Sequence, residues 1–290
     1  MQINFAKASL PTRGAVALLV PMDQKKTGLL AQIDKRTKGA LGRAMKSADF
    51  KGKKGQSLVY LSPTGTSLVA VVLIGVGAVA KLKPIDIEDA GGHAYARLQG
   101  TKAKSAMLAT ELLDGADIES SEIAAMAASG ALLRSYRFDR YRTKRKTGDR
   151  TALSKIIFSS ADAAQSLRQF APRNHLASVV FLTRHLVSEP PNILYPEEFA
   201  RRAKELSELG VKVDILDEKR LEKENMRALL GVGQGSRRDS RLVVMDWRGS
   251  KDSKSKPVAF VGKGVTFDTG GISLKPGLNM HEMKYDLGGA

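Results

Sequence analysis

The side chains best suited to chemistry lie in the last thirty residues. A short apolar run leads into a glycine-dense loop that carries Lys263, Asp268 and Lys275, and Asp286 follows a few residues later. Glycines let a backbone fold back closely, and carboxylates gathered by such a loop can bind hard or borderline divalent cations. The same aspartates could instead cap turns while the lysines point into solvent. The residue types therefore leave two interpretations open, a metal site and a solvated loop.

Other kinds of catalytic site find little support. The chain has no cysteine, which excludes thiolate nucleophiles, disulfides and Cys-ligated zinc, so any metal must be held by nitrogen or oxygen atoms. The histidines are scattered, and no G-x-S-x-G nucleophile elbow occurs. Residues 75–80 fit a dinucleotide-binding fingerprint only weakly, because Lys81 to Pro84 separates them from the helix that such a fingerprint should open.

Alternating strands and helices must position the glycine-dense loop. Short β-branched or leucine-rich runs indicate strands, at 15–20, 57–61, 67–74, 106–110, 155–159, 211–216, 241–247 and 257–262. Helical spacing of apolar residues indicates helices, at 28–45, 87–98, 119–133, 171–187, 196–209 and 219–228. The alternation predicts an α/β protein: an N-terminal α/β domain with a mainly parallel sheet, residues 1–165, then the start of a second α/β domain, residues 166–290.

Positive charge is concentrated in the first half of the sequence. The chain has a net charge of +17 with neutral histidines, and residues 1–150 account for +12 of it. Between Arg134 and Arg150, basic residues are interleaved with Tyr136, Phe138 and Tyr141, a composition that can bind single-stranded nucleic acid. It is more typical of a solvated helix end and linker. A nucleic-acid-binding module therefore remains the alternative function.

The sequence predicts neither membrane insertion nor secretion. The longest uncharged apolar stretch, residues 67–80, is shorter than the roughly 18 residues that cross a bilayer. The apolar run at 15–20 lacks the cleavage site of a signal peptide. We therefore expect a cytoplasmic protein without a membrane partner.

Several segments together carry a resemblance to a known family. Residues 262–276 read GKGVTFDTGGISLKP and residues 283–290 read MKYDLGGA, and related patterns occur upstream at 184–200, 229–236 and 241–242. These segments resemble the catalytic domain of the cytosolic leucine aminopeptidase (leucyl aminopeptidase) family. The residues before about 165 are similar to the family's N-terminal domain.

The resemblance implies a function and a site. It implies a metalloaminopeptidase that releases N-terminal residues, preferably leucine-like ones, from peptide substrates, with two divalent metal ions, Mn²⁺ or Zn²⁺, as cofactors. The metal ligands would be Lys263, Asp268 and Asp286. Lys275 would be the catalytic residue that stabilises the developing oxyanion, and Met283 would line the substrate pocket. The family also implies a homohexamer for the full-length protein.

The family's later acidic segment, N-T-D-A-E-G-R, does not occur before Ala290. Three protein ligands are too few for two metal ions at their usual coordination numbers. We therefore expect this chain to hold an incomplete catalytic domain, truncated relative to the family, with little or no aminopeptidase activity.

Overall fold

A computed structural model describes residues 1–22, 27–113, 115–144, 153–250, 252 and 254–290, which form two compact units, 1–181 and 182–290. Its strands are Gln2–Ala6 (β1), Gly14–Pro21 (β2), Ser57–Leu61 (β3), Leu68–Gly77 (β4), Ser105–Ala109 (β5), Lys155–Ser159 (β6), Lys212–Leu216 (β7) and Leu242–Asp246 (β8). Its α-helices are Gly28–Arg36 (α1), Ala40–Ser47 (α2), Pro84–Gln99 (α3), Ser120–Arg134 (α4), Ala163–Ser188 (α5), Pro196–Lys204 (α6), Glu218–Lys223 (α7) and Arg227–Gly233 (α8). The predicted boundary between residues 165 and 166 lies inside α5 and stays a prediction.

The first unit contains a six-stranded sheet with the order β1-β6-β5-β2-β4-β3. All neighbours in it pair in parallel except β3 and β4, which are antiparallel. The predicted α/β class with a mainly parallel sheet is therefore confirmed. Strand β1 had not been predicted, although Ile3 and Phe5 alternate with polar residues as strand residues do.

Helices cover both faces of this sheet, and the central strand β2 shows why. Its residues Ala15, Ala17 and Leu19 face the cluster formed by α3 and α4, whereas Val16 and Leu18 face the cluster formed by α1 and α2. Successive side chains of a strand point to opposite faces, so a strand that is apolar throughout must be buried on both. This gives a three-layer arrangement with the sheet in the middle.

Helices α3 and α4 pack unusually closely because small residues line their contact. A Cβ atom added at Gly130 would collide with the carbonyl oxygen of Glu88, and one added at Gly91 would collide with that of Ala127. The glycines therefore set the separation of the two helices, since any larger residue would force the backbones apart.

The predicted helix 28–45 is wrong as a single element. The structure places α1 and α2 there, with Lys38 and Gly39 between them at positive φ angles of 48° and 77°. Both residues lie in the left-handed region, which a continuing right-handed helix cannot contain. The apolar spacing continues across this turn, so periodicity alone did not show it. The predicted helix 219–228 is likewise two helices, α7 and α8.

The second unit contains the two-stranded antiparallel sheet of β7 and β8 with the helices α6, α7 and α8. The strand predicted at 257–262 is wrong: these residues form no strand. Val258 and Phe260 are 80% and 92% exposed, so these apolar side chains are not buried as they would be in a strand inside a sheet. Of the helices in the described ranges, none combines the length and apolar character needed to span a bilayer.

Candidate active site

The glycine-dense loop folds back on itself between Asp268 and Lys275. Gly270 and Gly271 have φ angles of 94° and 65°, a conformation that L side chains rarely adopt. The Gly270 N–H donates to Oδ1 of Asp268 over 2.8 Å, and the Lys275 N–H donates to the carbonyl oxygen of Thr269 over 2.8 Å. The turn therefore returns Lys275 to the start of the loop.

Lys275 and Asp268 form the first of two ion pairs in this segment. The Lys275 ammonium donates to Oδ2 of Asp268 over 2.9 Å and to the Asp268 carbonyl oxygen over 3.1 Å. The hydrogen bond from Lys275 is the main cause that holds the pKa of Asp268 below its ordinary value, and the Gly270 N–H and the charge of Lys263 act in the same direction. Asp268 is therefore a carboxylate throughout the neutral pH range.

Lys263 and Asp286 form the second ion pair, between residues that are 23 positions apart. Both side chains are exposed. A close approach of the backbone brings them together: a Cβ atom at Gly262 would lie 2.5 Å from the Gly289 carbonyl oxygen and 2.5 Å from the Ala290 Cα. Glycine at position 262 is thus needed for the end of the chain to reach Lys263.

A backbone hydrogen bond links the two ion pairs. The Asp268 N–H donates to the Met283 carbonyl oxygen over 3.1 Å, and Met283 precedes Asp286 by three residues. The charge of Lys263 also acts on Asp268 directly, since it contributes to the lowered pKa of that carboxyl. The structure therefore brings together all five residues that the sequence singled out for this site: Lys263, Asp268, Lys275, Met283 and Asp286.

The donor atoms of this cluster suit a divalent cation. Among the described residues, no three His, Cys, Asp or Glu side chains meet, so the third donor besides the two aspartates is the Lys263 amine. Amine nitrogen and carboxylate oxygen are donors that Mn²⁺ and Zn²⁺ accept. A lysine coordinates metal only without its proton, and a nearby dication strongly favours that loss. Two lysines beside two carboxylates leave the cluster with no net charge to oppose a cation.

Sequence reasoning missed a group of residues behind the cluster. The Lys284 ammonium donates to the carbonyl oxygens of Ser188 and Glu189, over 2.9 and 3.1 Å. Burial lowers the pKa of Lys284, although the charge of Glu189 acts against that shift. The Glu189 carboxylate is 1% exposed and lies 3.6 Å from the Arg202 guanidinium. Glu189 lies in the resembling segment 184–200 and directly before two prolines, but neither signal assigned it a role, and nothing distinguished Lys284.

The weaker sequence signals have structural explanations. The N–H groups of Gly75 and Gly77 donate to the carbonyls of Gln56 and Gly52, so they do not face a phosphate, and a short 3₁₀ turn follows instead of an α-helix.

In the basic stretch, Tyr136 packs on Phe181 and Phe138 on Tyr141, with ring centroids 5.3 and 5.8 Å apart. Residues 145–150 of that stretch lie outside the described residues. Nucleic-acid binding stays a prediction that no observation favours.

Two family models match the chain. The N-terminal domain of the cytosol aminopeptidase family matches residues 16–145, and the catalytic domain of the same family matches residues 181–290. The second match contains every residue of the cluster described above.

Individual proteins agree with the family models. A probable cytosol aminopeptidase of Afipia carboxidovorans is 48% identical over 86% of this chain and 49% of its own length. One from Caulobacter vibrioides is 43% identical over all of this chain and 58% of its own length. This chain thus spans about half the length of the curated relatives it matches.

Solved structures show the same fold. A tomato leucine aminopeptidase mutant superposes with a TM-score of 0.80 at 25% identity, over 93% of this chain and 55% of the tomato chain. A bottromycin maturation enzyme in complex with Mn superposes with a TM-score of 0.72 at 27% identity, over 95% of this chain and 53% of its own. Because the family models match most of the sequence and these proteins match nearly all of it, the chain belongs to the cytosol aminopeptidase family.

Proposed function

We propose that this chain provides part of the active site of a metal-dependent aminopeptidase, in which Lys263, Asp268 and Asp286 bind divalent metal. The observation that carries the proposal is the linkage of two ion pairs, Lys263 with Asp286 and Lys275 with Asp268, through a single backbone hydrogen bond. An amine and two carboxylates in one place, within a family of aminopeptidases, are best explained as metal ligands.

The metal ions are Mn²⁺ or Zn²⁺ in this proposal, and a solved relative is described as a complex with Mn. When bound, two such ions would lower the pKa of a water molecule, so that it can act as the nucleophile, and would polarise the peptide carbonyl. This chain's own residues do the positioning. Lys275, held by two hydrogen bonds to Asp268, keeps a positive charge beside the ligands, where it stabilises the oxygen that gains negative charge as the peptide bond is attacked.

Met283 is proposed to line the pocket for the first side chain of the substrate. Its carbonyl oxygen accepts a hydrogen bond from the Asp268 N–H, and Asp286 follows three residues later, so Met283 is adjacent to both proposed ligand residues. A flexible thioether fits leucine-like side chains of varied shape. We therefore propose peptides with leucine-like N-terminal residues as substrates, cytoplasmic location and a homohexameric full-length protein, in keeping with the relatives' description as cytosol aminopeptidases.

The 290-residue chain is proposed to turn over peptides slowly or not at all. Its described part offers three donors at this cluster, and a two-metal site needs more of them. Loss of ligands weakens metal retention and misplaces the water that must attack, so activity depends on the whole set.

Metal binding and turnover test the proposal separately. Mn²⁺ binding to the 290-residue chain is measured by electron paramagnetic resonance of the free ion, with Asp268→Ala and Asp286→Asn variants. We expect binding that falls at least about tenfold in each variant and stays unchanged in Asp239→Asn, an exposed aspartate of the same unit. Equal binding by all four chains would overturn the metal site.

Hydrolysis of a leucine anilide in the presence of Mn²⁺ is the second measurement. We expect turnover close to the uncatalysed rate for the unaltered chain and for Asp268→Ala alike. Robust turnover that disappears in Asp268→Ala would show that the residues present suffice, and it would contradict the proposed inactivity of the chain while supporting the metal site.

A further inference from the structure

A lysine side chain of the segment that holds Asp286 bonds the end of helix α5. The Lys284 ammonium donates to the carbonyl oxygens of Ser188, the last residue of α5, and of Glu189. The last four carbonyl groups of an α-helix lack partners within the helix and carry the negative end of its dipole. A lysine ammonium therefore meets both requirements of this helix end, a hydrogen-bond donor and a positive charge.

This attachment lies next to both proposed carboxylate ligands. Asp286 follows Lys284 by two residues, and Met283, which precedes it, accepts the hydrogen bond from the Asp268 backbone. Residues 280–282 and 285–289 form two short 3₁₀ turns, so Lys284 lies in the joint between them. The turn also packs on helix α5, since a Cβ atom at Gly288 would lie 3.1 Å from Cγ2 of Val187, and Lys284 adds the polar part of this attachment.

A buried ion pair holds the backbone that accepts the hydrogen bonds from Lys284. The Glu189 carboxylate is buried and paired with Arg202, and Arg202 also donates to Oε1 of Glu198 over 2.8 Å. A buried, paired carboxylate holds its backbone in one place, because moving it would separate the charge from its partner in a poorly solvated setting. The two carbonyl oxygens that accept from Lys284 are thus presented at a fixed position.

We propose that Lys284 is a positioning residue for the metal site: by bonding the Ser188 and Glu189 carbonyls it holds Asp286 and Asp268 at the separation that a shared metal requires. The inference rests on the proposed function, since it presumes that these aspartates are ligands. Groups that orient metal ligands without touching the metal commonly change metal affinity by 10- to 100-fold when they are removed.

The test compares Mn²⁺ affinity in the unaltered 290-residue chain, Lys284→Met, Lys284→Arg and Lys256→Met, an exposed lysine of the same unit. Methionine keeps the length of the side chain but removes the charge and the donors, whereas arginine keeps both. We expect a loss of about tenfold or more in Lys284→Met, recovery to within about threefold in Lys284→Arg, and no change in Lys256→Met. Circular dichroism spectra and thermal unfolding midpoints are measured for each chain to check that it is folded.

Equal affinity of a folded Lys284→Met and the unaltered chain would overturn the role of Lys284 and leave the metal site intact. If Lys284→Met does not fold, Lys284→Ser takes its place, because its short polar side chain carries no charge and cannot reach either carbonyl; unaltered Mn²⁺ affinity in that variant overturns the role as well. No difference between the unaltered chain and Asp286→Asn would instead refute the metal site, and the inference with it.

Discussion

The Lys275 ammonium bonds both the carboxylate and the backbone carbonyl of Asp268, over 2.9 and 3.1 Å. One side chain thus fixes the rotamer of a proposed metal ligand and closes the loop that carries it. A pair that is partly exposed contributes little to global stability, so its effect is local. The pair therefore orients Asp268, the residue proposed as a metal ligand.

Replacing Lys275 by methionine should therefore loosen the loop without unfolding the unit. We expect amide hydrogen exchange over residues 267–276 to accelerate up to about fivefold, which corresponds to about 1 kcal/mol, while the exchange of helix α6 stays unchanged. Lys275→Arg keeps the charge and serves as the control. Identical exchange in Lys275→Met and the unaltered chain would show that the ion pair does not order the loop.

The second unit should lose stability in acid through Glu198. The hydrogen bonds from Arg201, and then those from Arg202, lower the pKa of Glu198 from 4.5 to about 2. Because the pKa in the folded chain lies below the unfolded value, the stabilisation is complete above about pH 4.5 and disappears as the pH falls towards 2.

The matching experiment is urea unfolding followed by the fluorescence of Trp247, the single tryptophan, at several pH values. Glu198→Gln should be less stable than the unaltered chain at pH 7, and the difference should shrink below about pH 4.5 as the wild-type carboxylate becomes protonated. Glu208→Gln, an exposed residue of the same unit, is the control. A difference that is independent of pH would contradict the origin assigned to it.

The first unit should be sensitive to any side chain at Gly130. Alanine there places a Cβ atom against the Glu88 carbonyl oxygen, so α3 and α4 must move apart at a cost of about 1–3 kcal/mol. Gly100→Ala is the matched control, because its added Cβ meets the Arg97 carbonyl oxygen at 3.5 Å, an ordinary contact. Thermal unfolding followed by far-ultraviolet circular dichroism measures both. Equal midpoints for the two variants would show that the helices can separate freely.

The sequence predicted five of the six strands in the sheet of the first unit, because these five are short apolar runs. Strand β2 is apolar at every position from Ala15 to Val20, which leaves a doubly buried strand as the natural interpretation. The helix break at Gly39 was missed because Ile33 and Leu41 still lie on one helical face. Helix α5 extends well before its predicted start and contains Pro172, a residue that usually ends a helix.

In the candidate site, too, the sequence could predict some features and not others. Motif resemblance identified Lys263, Asp268, Lys275 and Asp286 because each stands in a fixed pattern of glycines. Resemblance could not show that Lys284 reaches Ser188, because that contact joins residues 96 positions apart and depends on where helix α5 ends. The strand predicted at 257–262 failed for a related reason: its apolar residues indicate a strand, but a strand also requires a neighbour, which composition does not reveal.

Arg201 and Arg202 are neighbours in sequence with different surroundings, and this difference predicts unequal effects of mutation. Arg201 is 59% exposed and pairs with Glu198 and Glu205 at the surface. Arg202 is 21% exposed and faces the buried Glu189 as well as Glu198. Surface ion pairs contribute about 0–1 kcal/mol, whereas removing one partner from a buried pair costs on the order of 3 kcal/mol because a buried charge loses part of its compensation.

Arg202→Met should therefore lower the free energy of unfolding of the second unit by on the order of 3 kcal/mol, and Arg201→Met by less than about 1 kcal/mol. Urea unfolding at pH 7, followed by Trp247 fluorescence, gives both values. Adding Glu189→Gln to Arg202→Met should restore part of the loss, since the double variant no longer buries a carboxylate that has lost its Arg202 partner. Equal losses in the two arginine variants, or a further loss in the double variant, would show that the Glu189 charge is balanced by other groups, and Arg202 would then contribute only as a surface residue.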